Sequence, residues 1–292
     1  MNVSPEIAIS ERVELPNTQP TYSPTNLAEQ PLAGLAIAGA VWIVSVVLLA
    51  VVPQFVAIPY IAMHYRDVPA TAETLLADKT VVLLMIVGVL PAHIITLFMV
   101  WAVATRLGRR SIIQTLGLTW NGKFTLARSI GLAILLYLAA FLLTLAFGGQ
   151  GTALDKLVES SRAAALTIAF LAVVTAPIVE ESIYRGILYP AIDRVSNSTV
   201  AVILVTILFA GPHVPQYWPN IAIISSITLL SVALTILRAR TGRLLPCIIV
   251  HLVFNGIQSA IIVAEPYLKP ILENMRHGRP SGSLIRLLIS LH

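Results

Sequence analysis

Ala176-Pro177-Ile178-Val179-Glu180-Glu181-Ser182-Ile183-Tyr184-Arg185 sets two adjacent carboxylates and a guanidinium inside an apolar run. From Ala163 to Val179 there is no charge, and Ile187-Leu188-Tyr189 continues the run beyond. A single charge at mid-membrane costs about 2.5–3.5 kcal/mol on insertion scales, so something must offset these three. Helical residues advance by about 100°, which makes Glu181 and Arg185 neighbours on one face. Arg185 can therefore hold Glu181 ionised, while Glu180 points away and is left for another partner. An internal ion pair that only locks helix packing is the plain alternative, and the second carboxylate argues against it.

The rest of the chain explains why this run is a membrane segment. Of 292 residues, 57% are hydrophobic and only 11% charged, with a mean hydropathy of +0.86. A soluble domain carries about 25% charged residues. The expected fold class is all-α, a polytopic transmembrane bundle of about 7–8 spans, the span length being about 20 residues. Apolar segments run at 32–63, 81–105, 126–147, 163–192, 198–213, 220–238 and 244–263. Pro53 and Pro59 either kink the first or end it near Val52. The fourth is long, holds its carboxylates inside rather than at an end, and contains Pro177 and Pro190 as possible kinks. The short stretch Leu284–Leu291 suits the membrane interface rather than a span.

The net charge of +5 (pI ≈ 9.6) sits in short loops, which signals topology and not a nucleic-acid surface. Arg106, Arg109, Arg110, Lys123, Arg128, Arg194, Arg238, Arg240 and Arg243 fall on one side, and near-neutral or acidic loops on the other. This places the basic loops and N-terminus in the cytoplasm and the C-terminus outside. Residues 1–31, rich in proline and polar groups, read as a disordered tail without a cleavable signal, followed by N-terminal transmembrane helices over 32–150. A catalytic helical core is expected at 151–265 and a C-terminal tail with a short interfacial helix at 266–292. Cys247, the only cysteine, lies in an apolar run with no adjacent base and is no nucleophile candidate.

Three other polar groups interrupt apolar runs: His213, closing Leu208-Phe209-Ala210-Gly211-Pro212-His213, and the pair His251 and Asn255, four apart on one face. Counted at about 1.5 Å per residue from the basic loops, Glu180 and His213 come out level, and His251 about 10 Å lower unless the seventh helix starts later. Singly, each has an ordinary explanation as a helix-end residue or interhelical glue. Together they form a set able to activate water, with a cavity expected among spans four, five and seven.

Glu-Glu-x-x-x-Arg, Phe-x-x-x-His and His-x-x-x-Asn, in that order over about 165–260, resemble the CPBP family of intramembrane proteases, also called Abi or CAAX amino-terminal proteases. The resemblance implies metal-free, glutamate-dependent peptide hydrolysis. Glu180 and His213 would activate water, His251 and Asn255 would stabilise the oxyanion, and Glu181, Arg185 and Phe209 would support the site. It implies no cofactor, a peptide or membrane-anchored protein as substrate, the lipid bilayer as surroundings, and the plasma membrane of a bacterium as location. The residues independently suit this chemistry: a buried carboxylate can serve as general base, and a His–Asn pair supplies donors to an oxyanion. Zinc held by two His and a Glu is an alternative, weakened by the absence of His-Glu-x-x-His. A proton-coupled transporter and a non-catalytic immunity-type membrane protein are the non-enzyme alternatives.

Overall fold

The computed structural model describes residues 31–276 apart from 121 and 123. The expected N-terminal tail before residue 31 and the short helix at 284–291 lie outside the described residues. Among those described, no strand forms, and seven helices are long and apolar enough to cross a membrane. They are α1 (Pro31–His64), α2 (Lys79–Thr105), α3 (Leu126–Phe147), α4 (Arg162–Val195), α5 (Ser198–Tyr217), α6 (Ile221–Thr241) and α7 (Leu245–Glu265). The chain is an integral, multi-pass membrane protein.

One juncture left open by the sequence resolves simply. α1 runs unbroken through Pro53 and Pro59 to His64. Membrane helices tolerate proline where neighbouring elements compensate the lost hydrogen bonds. Here α2 packs close: a Cβ on Gly88, where α2 is interrupted, would lie 2.6 Å from the Cα of Pro53. Only glycine permits that approach. At the other end of the chain, α7 continues as helix to Arg276, past the point where a tail was expected. Helical hydrogen bonding does not depend on apolar side chains, so the apolar run stops before the helix does.

The connections segregate to two ends. The turn between α6 and α7 docks on the connection between α2 and α3, the Leu244 N–H donating to Gly117 O at 2.9 Å. Arg238, in the last turn of α6, donates to Leu116 O and Gly242 O. Gly117 has φ +71°, and a Cβ there would meet Gly242 O at 2.8 Å, so both conformation and crowding require glycine. At the opposite end Asn220, capping α6, donates to Gln150 O between α3 and α4.

Packing follows from near-uniform apolarity. One buried cluster joins α1, α2, α4, α5 and α7 through residues such as Val100, Ile183, Val205 and Ile248; a second joins α3, α6 and α7 through Leu136, Leu234 and Phe254. α4 lies within the first cluster, and its Ser182–Leu188 stretch is buried on every side. That enclosure is what the charged motif must be reconciled with.

Candidate active site

α4 is not a uniform α-helix. π turns occupy Leu171–Thr175 and Ser182–Leu188, on either side of the carboxylate pair. Both precede prolines. A proline cannot donate to the preceding turn, and a widened turn accommodates the lost bond. In the first π turn the Ala176 N–H donates to Leu171 O. The next donor in that register would be residue 177, a proline, so Ala172 O is left without its helical partner. Asn255 of α7 fills the gap, its Nδ2–H donating to Ala172 O at 2.9 Å. Pro177 thus sets where Asn255 is held.

The two carboxylates face different surroundings. Glu181 and Arg185 are both 0% exposed, Arg185 Nη1 donating to Glu181 Oε1 at 2.9 Å. Three further guanidinium hydrogens go to α6: Nε to Thr235 Oγ1, and Nη2 to both Ser231 O and Ser231 Oγ. Its Cζ lies 4.6 Å from the ring centroid of Phe209, a cation–π contact. Phe209 also stacks on His213, with centroids 5.0 Å apart. Glu180, by contrast, is 23% exposed in its side chain and His213 is 22%.

The imidazoles are oriented by what their Nδ1 atoms meet. His213 Nδ1 lies 2.7 Å from Phe209 O, and a carbonyl can only accept, so Nδ1 carries the hydrogen. His251 Nδ1 lies 2.9 Å from Glu181 Oε1, a carboxylate acceptor. Both rings therefore present Nε2 to Glu180, at 4.0 Å from Oε1 for His213 and 3.8 Å from Oε2 for His251. These separations are too long for direct hydrogen bonds and suit a bridging water.

Glu180, His213, His251 and Asn255 all line one cavity of about 720 Å3, whose walls also draw on α1, α2 and α3. The lower position expected for His251 is not what the structure shows. Leu244, directly after the Arg243 from which the height was counted, is fully enclosed against the α2–α3 connection, so a count from Arg243 does not give the height of α7.

Residues that the sequence reading did not single out complete the site. Ser231 and Thr235 lie four apart on α6, a spacing visible in the sequence, and hold Arg185. Tyr184 receives Trp42 Nε1–H of α1 and donates to Leu208 O. His93 of α2 lines the cavity with Nδ1 2.9 Å from Thr175 Oγ1, and a histidine inside an apolar span was signal enough. Among the described residues no group of three or more His, Cys, Asp or Glu is placed to hold a metal ion.

Residues 162–257 match the family described as Type II CAAX prenyl endopeptidase Rce1-like. Over this segment the chain is similar to that family. The segment opens at the first residue of α4, contains α5 and α6, and closes just after Asn255, so the resemblance read from the three motifs is borne out. The Rce1-like segment supports a membrane endopeptidase function. His93 and the rest of α1–α3 lie outside it. No curated protein and no solved structure matches the chain.

Proposed function

We propose that the protein is an intramembrane endopeptidase that hydrolyses a peptide bond with water activated by Glu180 and His213, without a metal. The observation that carries this reading is the placement of His213 Nε2 and His251 Nε2 against the two oxygens of Glu180. A water between Glu180 and His213 loses a proton to the carboxylate as its oxygen attacks the substrate carbonyl. Glu180 then passes that proton to the departing amine, which balances the reaction without an external acid. His251 and Asn255 face the oxyanion. Asn255 keeps a second amide hydrogen beyond the one given to Ala172 O. For His251 to donate, both ring nitrogens must carry hydrogen, one directed to Glu181 and one to the oxyanion. That form also balances the two carboxylates against Arg185 and the imidazolium. Glu181 and Arg185 touch no substrate in this scheme; they hold His251 and Phe209 in place.

Substrates are peptides or membrane-anchored proteins reaching a cavity within the bilayer. The basic loops then face the cytoplasm of a bacterial plasma membrane. The test uses purified full-length protein in nanodiscs, a degenerate decapeptide library and mass spectrometry. Cleavage by the wild type should fall about 10²–10⁴-fold in Glu180→Ala, the usual loss for a general base. Retention of about a tenth of the rate overturns the assignment. The zinc reading rests on the same convergence of two imidazoles and a carboxylate. It requires cleavage to stop with a chelator and return with zinc, whereas the metal-free reading requires chelator-treated protein to remain active.

A further inference from the structure

His93 is the one imidazole at the cavity with no part in the proposed hydrolysis. It stands on α2, outside the Rce1-like segment, and is 6% exposed. Its Nδ1 lies 2.9 Å from Thr175 Oγ1, and the single Thr175 hydroxyl hydrogen is given to Leu171 O at 3.2 Å. The arrangement that makes both contacts hydrogen bonds has Thr175 accept from His93, which places the ring hydrogen on Nδ1 and leaves Nε2 with a lone pair. Among the described residues Nε2 has no hydrogen-bond partner, yet it is not among the side-chain atoms sealed without one. It therefore opens on the cavity that the residue lines. A buried acceptor, fixed in one tautomer and aimed into an otherwise largely apolar space, awaits a donor.

A peptide brings such donors. Inside a bilayer every backbone N–H that leaves water must find an acceptor or be strongly disfavoured. Of the other ionisable groups at the cavity, Glu180 and His213 serve the water and His251 the oxyanion, while further polar side chains such as Gln216 and Gln258 also line it. Resting on that reading, we propose that His93 Nε2 accepts a hydrogen bond from a substrate backbone N–H next to the scissile bond. His93 would thereby fix the register in which an extended peptide is presented to Glu180. His93 is a substrate-binding residue in this assignment, and Thr175 sets its tautomer.

The experiment takes the best-cut peptide from the library and a series of its analogues, each with one backbone amide beside the scissile bond replaced by an ester. Each ester deletes one N–H. KM and kcat are measured for wild type, His93→Phe, which keeps the ring without an acceptor, and His93→Gln, which restores one. In the wild type one ester position should raise KM about tenfold, the loss from leaving a buried acceptor unpaired. His93→Phe should raise KM for the all-amide peptide by about the same factor, with kcat changed less than about twofold, and should show no further loss with that ester. His93→Gln should recover part of the affinity. An ester penalty that persists undiminished in His93→Phe, or no penalty at any position in wild type, overturns the proposal while leaving the endopeptidase reading intact. A peptide library left uncut by wild type overturns that reading and this inference together.

Discussion

Glu180 and Glu181 are consecutive residues on one helix, and their surroundings differ in almost every respect. Glu181 is sealed, ion-paired to Arg185 and hydrogen-bonded to His251, with Phe209 stacked beneath the guanidinium. Glu180 faces a cavity, with no direct hydrogen bond and an imidazole nitrogen near each oxygen. The step of one residue turns the second carboxylate into the body of the protein and leaves the first at an opening. Burial with full pairing makes a carboxylate part of the scaffold; partial exposure with unfilled hydrogen-bonding positions leaves it available for reaction. The comparison also explains why two carboxylates occur together, since the sealed one orients an imidazole toward the open one.

The largest effect falls on the sealed side. Removing one partner of a buried pair costs about 3–5 kcal/mol because the other charge is stranded. Arg185→Ala should therefore lower the unfolding midpoint and folded yield, and lose activity with the fold. An Arg185→Ala protein that melts like the wild type would break the comparison, since Glu181 would then need no scaffold partner.

Next comes the oxyanion side of the open carboxylate. Asn255→Ala should raise the barrier by about 2.7–4 kcal/mol, the loss expected for an oxyanion donor, and appear mainly in kcat. Steady-state kinetics with one cleavable peptide would check it. A rise in KM alone would return Asn255 to a purely structural tie to Ala172.

Smallest is the effect at Asp78, a carboxylate outside the spans that shows what water does to the same group. It caps the start of α2, with Thr80 N–H at 2.8 Å and Val81 N–H at 3.3 Å from Oδ1, and Tyr65 OH donating to Oδ2. Burial acts to raise its pKa, but these donors outweigh it and hold the carboxyl below its ordinary 3.8. A carboxyl with a depressed folded pKa contributes stability above its unfolded pKa and loses it as pH falls through the folded value. Asp78→Ala should cost about 1 kcal/mol at neutral pH, as a lost helix cap does, and the difference from wild type should fade as pH drops below 3.8 and through the depressed folded pKa. Thermal melts at neutral and acid pH would measure it. A difference that persists in acid would mean the cap acts without its charge.

The span pattern and the polar set were legible because charge inside an apolar run is costly and therefore conspicuous. Glu180, Glu181, Arg185, His213, His251 and Asn255 each stand out against aliphatic neighbours. The level of His251 was not legible, because counting from Arg243 assumes that the turn before α7 lies at the membrane edge, and Leu244 is buried under Gly117. Nor were the π turns, since widening by one residue alters hydrogen bonding more than composition. Pro177 and Pro190 marked that the turns before them must adjust without saying what form the adjustment takes. His93 carried its signal in plain view but stood alone in its run, and only the packing of α2 against α4 brings it to Thr175. The hold of Ser231 and Thr235 on Arg185 was hidden similarly, as hydroxyls are common and unremarkable in membrane helices.

The most direct measurement pairs two isosteric substitutions, Glu180→Gln and Glu181→Gln, each assayed for thermal unfolding and for peptide cleavage in the same nanodisc preparation. The account predicts that Glu180→Gln melts like the wild type and loses about 10²–10⁴-fold in cleavage rate, because a neutral amide takes no proton from water. It predicts that Glu181→Gln unfolds at lower temperature, because Arg185 and His251 lose the charge they share. A Glu180→Gln protein that keeps about a tenth of the wild-type rate, or a Glu181→Gln protein as stable as the wild type, would contradict it.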